Sequence, residues 1–122
     1  MAATPSNALI TSVLNSITGD TPYIALYTNN PTAADTGTEV TGGSYVRKSV
    51  SFGSITSGSV SNVSSITFSG MPNTTVSHWG IKNASTGGTL KVFGAFTTPI
   101  VLQAGDDITI GVGQLTVSLS GS

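Results

Sequence analysis

The chain has 122 residues, with four basic and five acidic side chains, one histidine, no cysteine and a formal net charge of −1. That inventory leaves no disulfide framework, thiolate metal site or thiol nucleophile, and it supplies almost none of the Lys and Arg needed to neutralise nucleic-acid phosphates. Charged residues are 7% of the chain and hydrophobic ones 38%, against about 25% charged in an ordinary soluble domain, so it is expected to fold behind a near-neutral surface of Ser, Thr, Asn and Gly.

Such a surface opposes association only weakly and suits a protein that packs against others. No apolar run approaches the roughly 20 residues of a membrane span. The start lacks the basic and apolar regions of a signal peptide. The expectation is one soluble, untargeted domain over residues 1–122, with no membrane or nucleic-acid partner.

The first element is a helix over about residues 5–18, with Thr4 as cap, Pro5 at the first helical position and Gly19 past the last apolar residue. Leu9, Ile10, Val13, Leu14 and Ile17 recur at helical spacing and form one apolar stripe. A lone stripe has little stability of its own, so it packs on this domain's sheet or on a neighbouring subunit.

From Tyr23 onward the pattern is β. Tyr23 to Thr28 is aromatic and branched, and the weakly patterned stretch 29–43 follows as a long loop. Loops of that length are functional or mobile; this one is either an arm reaching a neighbour or an ordinary surface loop. Tyr45 to Phe52 alternates, with Val46, Val50 and Phe52 on one side and Arg47, Ser49 and Ser51 on the other. Val60, Ile66 and Phe68 mark a third strand and Val76 to Asn83 a fourth. Leu90 to Thr97 is the next, then Ile108 with Ile110, and Leu115, Val117 and Leu119 alternate with Thr116, Ser118 and Ser120. About seven to eight short strands separated by Gly and Asn turns predict a mainly β fold: an antiparallel β-sandwich or jelly-roll-like barrel with one N-terminal α-helix.

Within that frame, Gly42-Gly43 reads as a tight turn into the strand near Ser44, and Gly87-Gly88 as a hairpin turn between the Trp79 and Leu90 strands. Arg47, directed away from Val46 and Val50, is placed to pair with Glu39 on the preceding loop and to fix its angle through a bidentate contact.

The search for chemistry yields no catalytic constellation. Asp106-Asp107 follows Gly105 in a turn, and Asp35 and Glu39 lie in the long loop, with nothing to bring two carboxylates across a cleft. No calcium loop of alternating acids is present, and no G-x-S-x-G elbow frames a nucleophile. His78, beside the single Trp79, reads as a packed strand residue without an oriented acid/base partner. Trp79 with Tyr23, Tyr27 and Tyr45 would make a sugar-stacking platform if exposed together; core packing is the simpler reading. The sequons at Asn62, Asn73 and Asn83 are what abundant Ser and Thr produce by chance. No enzyme, cofactor or metal is expected.

Two segments carry a wider pattern. One is Gly37-Thr38-Glu39-Val40-Thr41-Gly42-Gly43-Ser44-Tyr45-Val46-Arg47, continuing to Val50-Ser51-Phe52. The other is Val76-Ser77-His78-Trp79-Gly80-Ile81, then Ala84-Ser85-Thr86-Gly87-Gly88-Thr89-Leu90, Gly94 and Ala104-Gly105-Asp106. Together, and with the early helix and the Tyr-Ile-Ala-Leu-Tyr strand, they resemble a family of small virion proteins of tailed bacteriophages, often labelled tail-fibre or hypothetical structural proteins. The chain departs from the family pattern at Val46, where a small residue is usual, and at Lys82-Asn83, where an aromatic and an Asp are common.

The resemblance implies a virion structural protein, assembled in the host cytoplasm, with no catalytic residues to carry over. A long fibre chain carries a shaft with heptads or a collagen-like repeat, and neither is present. The sequence reading therefore favours a capsid cement or decoration protein bridging capsomers over a tail fibre or other tail component, with the major capsid protein or tail proteins as partners and a homo-dimer or homo-trimer as its form. A carbohydrate-binding module contacting the host surface is the reading from a different class. The structural or interface candidates are Glu39, Gly42, Gly43, Tyr45, Arg47, His78, Trp79, Gly87 and Gly88.

Overall fold

The computed structural model describes residue 3 and residues 6–118. Its one helix, α1, spans Asn7–Thr18. Ser6 is the N-cap, its hydroxyl accepting from the Leu9 N–H at 3.2 Å and so satisfying one of the helix's orphan donors. Thr4 and Pro5, expected to open the helix, lie outside the described residues. Gly19 closes it by donating to the Asn15 carbonyl at 2.9 Å. Ile10, Leu14 and Ile17 are buried in the domain's own core. Leu9 and Val13 sit on the flank of that stripe and stay 53% and 39% exposed. The buried stripe is thus narrower than the apolar spacing suggested.

Eight strands follow: β1 Tyr23–Tyr27, β2 Lys48–Ser49, β3 Ser59–Ser61, β4 Ile66–Phe68, β5 Thr74–Lys82, β6 Leu90–Leu102, β7 Ile108–Ile110 and β8 Thr116–Ser118. They form a four-stranded antiparallel sheet in the order β2-β1-β5-β6 and two two-stranded antiparallel ladders, β3-β8 and β4-β7. The result is sandwich-like, and among the described residues the large sheet ends in β2 on one side and β6 on the other. Leu26 opposite Trp79 and Ile24 opposite Ile81 mark its inner face. Those side chains share one apolar core with Val60, Phe68, Met71, Val76, Ile110 and Val117 and with the helix.

Away from the core, the small ladders are closed by hydroxyl pairs: Ser59 with Ser118 at 2.9 Å, Ser61 with Thr116 at 2.9 Å and Thr67 with Thr109 at 3.2 Å. Such cross-strand pairs favour register without charge. They explain how so few ionic groups suffice on this surface.

Three strand expectations are corrected. The alternating run Tyr45 to Phe52 yields only Lys48–Ser49 as regular strand. Its expected facing fails at the start, where Val46 is 57% exposed and the Arg47 side chain only 6% exposed. Polar partners inside the fold, described below, outweigh the hydrophobic preference there. The expected third strand is two, because the chain turns at Asn62 and places β3 and β4 in different ladders. β6 runs past Thr97 to Leu102: between the pairs His78–Ala95 and Val76–Ile100 it carries five residue steps against two on β5. That bulge accommodates Pro99, which has no N–H to give a ladder.

Candidate functional site

The candidate residues converge where β1 outruns its neighbour. β2 pairs only with Tyr23 and Ile24, so the second half of β1 needs other partners for its backbone groups. Residues 38–40 supply them: Thr28 N–H donates to the Thr38 carbonyl and Val40 N–H to the Leu26 carbonyl, both at 2.9 Å. The long loop is therefore no arm. It folds back on its own sheet, with Pro31 buried and Thr36 N–H donating to the Pro31 carbonyl at 2.6 Å. Lys82 holds it through Asp35 at 2.7 Å, and the Tyr27 hydroxyl donates to the same carboxylate at 3.3 Å.

This path presents Glu39 to Arg47. Arg47 Nε donates to Glu39 Oε2 at 2.9 Å and Nη2 to Oε1 at 2.8 Å, a bidentate pair. Nη1 reaches the β5–β6 connection, donating to the carbonyls of Ala84 at 3.0 Å and Gly87 at 2.7 Å. The Tyr45 hydroxyl donates to Glu39 Oε2 at 2.6 Å and accepts from the Leu26 N–H at 3.0 Å, while its ring stacks on Phe68. One guanidinium thus ties the long loop, the segment before β2 and the β5–β6 connection together.

The glycines serve the same junction. Gly43 has φ +56°, and a Cβ there would stand 2.6 Å from the Gly70 carbonyl. Gly42 turns beside it, letting Ser44 N–H donate to that carbonyl at 2.8 Å. Gly87 and Gly88 both have positive φ in the seven-residue connection 83–89 between β5 and β6.

Burial would raise the Glu39 carboxyl, but the hydrogen bonds from Arg47 and Tyr45 and the Arg47 charge outweigh it and hold the group below the usual value. The Glu39 hydrogen bond pushes Arg47 up. Burial, chiefly, pushes the Tyr45 and Tyr27 hydroxyls well above the ordinary phenol range. Each group is held in one protonation state across neutral pH, and both carboxylate oxygens are occupied by protein donors. A surface cavity of about 260 Å³ borders Glu39, Tyr45, Arg47, Ser85 and Thr86; of these, Glu39, Tyr45 and Arg47 direct their polar atoms into the clasp. The arrangement fastens segments; it is not poised for proton transfer.

His78 and Trp79 do not join the clasp. His78 pairs with Ala95 and Tyr27 on the outer face of the sheet, its Nδ1 lying 2.7 Å from the Ser77 hydroxyl. Trp79 faces inward, against the core. Tyr27 is 1% exposed and Tyr45 is packed on Phe68, so the sugar-stacking platform of Trp79 with the tyrosines is not formed. Asp106 and Asp107 serve their turn, accepting from the N–H groups of Gln103 at 2.9 Å and Gly70 at 3.1 Å. Among the described residues no three His, Asp or Glu side chains cluster as a metal site would require, and no helix is long and apolar enough to cross a membrane.

Trp79 also fixes how close β6 approaches. A Cβ at Gly94 would lie 2.8 Å from Trp79 Cζ2. Gly94→Ala is expected to displace the indole and cost about 2 kcal/mol, within the range for overpacked cores, read as a shifted tryptophan emission together with a lower unfolding midpoint.

Two contributors were not found from sequence. Lys82, a departure from the resembled pattern, is buried against Asp35. Asn62, dismissed as a chance sequon, is 1% exposed: its Nδ2 donates to the Ser64 and Gly111 carbonyls, and its Oδ1 accepts from the Leu115 N–H. The one available signal was an Asn placed between strand-like runs, and this chain has many.

Three ion pairs, Arg47 with Glu39, Lys82 with Asp35 and Lys91 with Asp20, join parts of this fold. By comparison with known families the chain belongs to the Gp80 family, whose model, described as podophage GP4 fiber I protein gp80, matches residues 1–118. The protein is accordingly a phage virion structural protein of the fibre type. No curated protein matches the chain.

Proposed function

We propose that this protein is a non-catalytic building module of a phage tail fibre, bound to other tail proteins and to copies of itself. The observation that carries this reading is the match to a fibre protein family over residues 1–118. The sequence preference for a capsid cement rested on the missing shaft pattern, and a fibre assembled from several polypeptides needs no shaft in each. The clasp around Arg47 fits a part that must keep its loops in place, since a rigid surface loses less entropy on assembly. The carbohydrate-binding alternative loses its support with the aromatic platform.

Cryo-electron microscopy of the intact virion tests the proposal. Density for this fold at the tail, absent from a virion lacking the protein, is the expected result. Density at many capsid sites and none at the tail would replace the fibre reading with the cement one.

A further inference from the structure

β6 is the longest strand, Leu90–Leu102, and it lies at the edge of the four-stranded sheet. Among the described residues its ladder runs only to β5. Natural edge strands are protected by brevity, charge, proline or bulges, because their free N–H and C=O groups template pairing with another strand. In β6 such devices stand at the two ends, Lys91 within an irregularity at one and Pro99 within a bulge at the other. The short stretch between them, Val92-Phe93-Gly94-Ala95, pairs regularly with β5 and has no charge or proline of its own. The nearby Lys91 lies 3.3 Å from the half-exposed Asp20 carboxylate and remains a cation at this edge. Phe93 stands on the outer face, opposite the bare Gly80, 39% exposed. It borders an open groove of about 300 Å³ that also touches Ala33 and Leu90.

We propose that β6 pairs antiparallel with β6 of a second copy about a two-fold axis at Phe93, joining two four-stranded sheets into one. An antiparallel pairing of identical edges places the two-fold perpendicular to the sheet. Outer-face residues must then meet outer-face residues, so Phe93 falls directly opposite Phe93 of the second copy. That gives a cross-strand aromatic pair whose rings lie along the flanking groove. The register sets each Lys91 against the partner's Ala95 and keeps the two lysines apart. Centring on Lys91 would oppose like charges. A second copy is favoured over a foreign strand because this register brings the two exposed Phe93 rings together and keeps the two Lys91 side chains apart.

The inference deepens the reading of the chain as a self-associating structural protein, and the two can fail separately. A map placing the protein off the tail would end the fibre reading and leave the pairing intact, whereas a monomer would end the pairing and the self-association in that reading but leave the placement at the tail standing.

The chain has no cysteine, so single cysteines report register directly. The full chain is expected to sediment at twice its monomer mass, and Phe93→Cys to form a disulfide-linked dimer on mild oxidation. Ala95→Cys is expected not to, because its two copies would be about 13 Å apart along the strands, beyond the reach of a disulfide. Phe93→Lys, placing like charges face to face, is expected to weaken dimerisation at least tenfold with the circular dichroism spectrum unchanged. The Phe93→Cys cross-link remains readable even if the lysine variant misfolds. A wild-type monomer at all concentrations, a trimer without the Phe93→Cys cross-link, or a dimer that cross-links through Ala95→Cys instead would each overturn the proposal.

Discussion

Arg47→Ala is expected to lower stability by about 3 kcal/mol, the lower end of the cost of breaking a buried ion pair by removing one partner, because Glu39 retains 26% side-chain exposure and some access to water. The loss has two sources. Glu39 is left charged with only Tyr45 to satisfy it, and the Ala84 and Gly87 carbonyls lose their shared donor. For a domain of this size that corresponds to a fall of roughly 12 °C or more in melting temperature. The pair also sets an acid limit. The Glu39 carboxyl is depressed in the folded state, so its stabilisation is complete above the unfolded carboxyl value of about 4.3 and is lost as pH falls through the folded value. A pH series of urea unfolding should show that acid loss in the wild type and its removal in Arg47→Ala, where burial is the main influence left on the carboxyl. Unchanged midpoints and pH profiles in the variant would mean that the clasp contributes nothing to holding the loop.

The pairing of Arg47 with Glu39 was legible because charge is scarce here: two opposite charges bracketing a Gly-Gly turn have few other partners to choose from. The helix and β1 and β5 were legible for the usual reason, that burial imposes a period on apolar residues. The facing around Val46 and Arg47 was not, since alternation assigns the polar residue outward unless its partners are known, and two of Arg47's partners are backbone carbonyls nearly forty residues away. The return of the long loop onto β1 escaped notice because its contacts are largely backbone hydrogen bonds, which leave no mark on side-chain pattern. The strand expected over Leu90 to Thr97 runs on to Leu102, because a bulge lets it pass Pro99, which has no ladder donor.

Asn62→Leu is expected to cost more than the loss of Arg47, about 4 kcal/mol, although leucine has nearly the right size for the site. The reason is the asymmetry between making a hydrogen bond and burying a group without one. The amide of Asn62 donates at 2.9 and 3.0 Å to the carbonyls of Ser64 and Gly111 and accepts at 3.0 Å from the Leu115 N–H, and leucine offers nothing to any of the three. Each orphaned buried group costs about 1–3 kcal/mol; Ser64 is exposed and Gly111 partly so, so water relieves some of the sum, whereas Leu115 is 3% exposed and its N–H has no substitute. The backbone of Asn62 also exchanges hydrogen bonds with Leu115 and Gly113, so one residue fastens the turn before β8 to the end of β3. Asn62→Asp separates the parts of this argument. It keeps an acceptor for Leu115 but turns a carboxylate toward two carbonyl oxygens, which raises its pKa in the folded state above the unfolded value. The variant should therefore be least stable at neutral pH and recover as pH falls through that raised value, when the protonated group can donate to one carbonyl. Chemical unfolding of both variants between pH 4 and 8 checks this. A leucine variant within about 0.5 kcal/mol of wild type, the range of an ordinary surface substitution, would mean that the turn finds other partners and that Asn62 is not the fastening of β3 to β8.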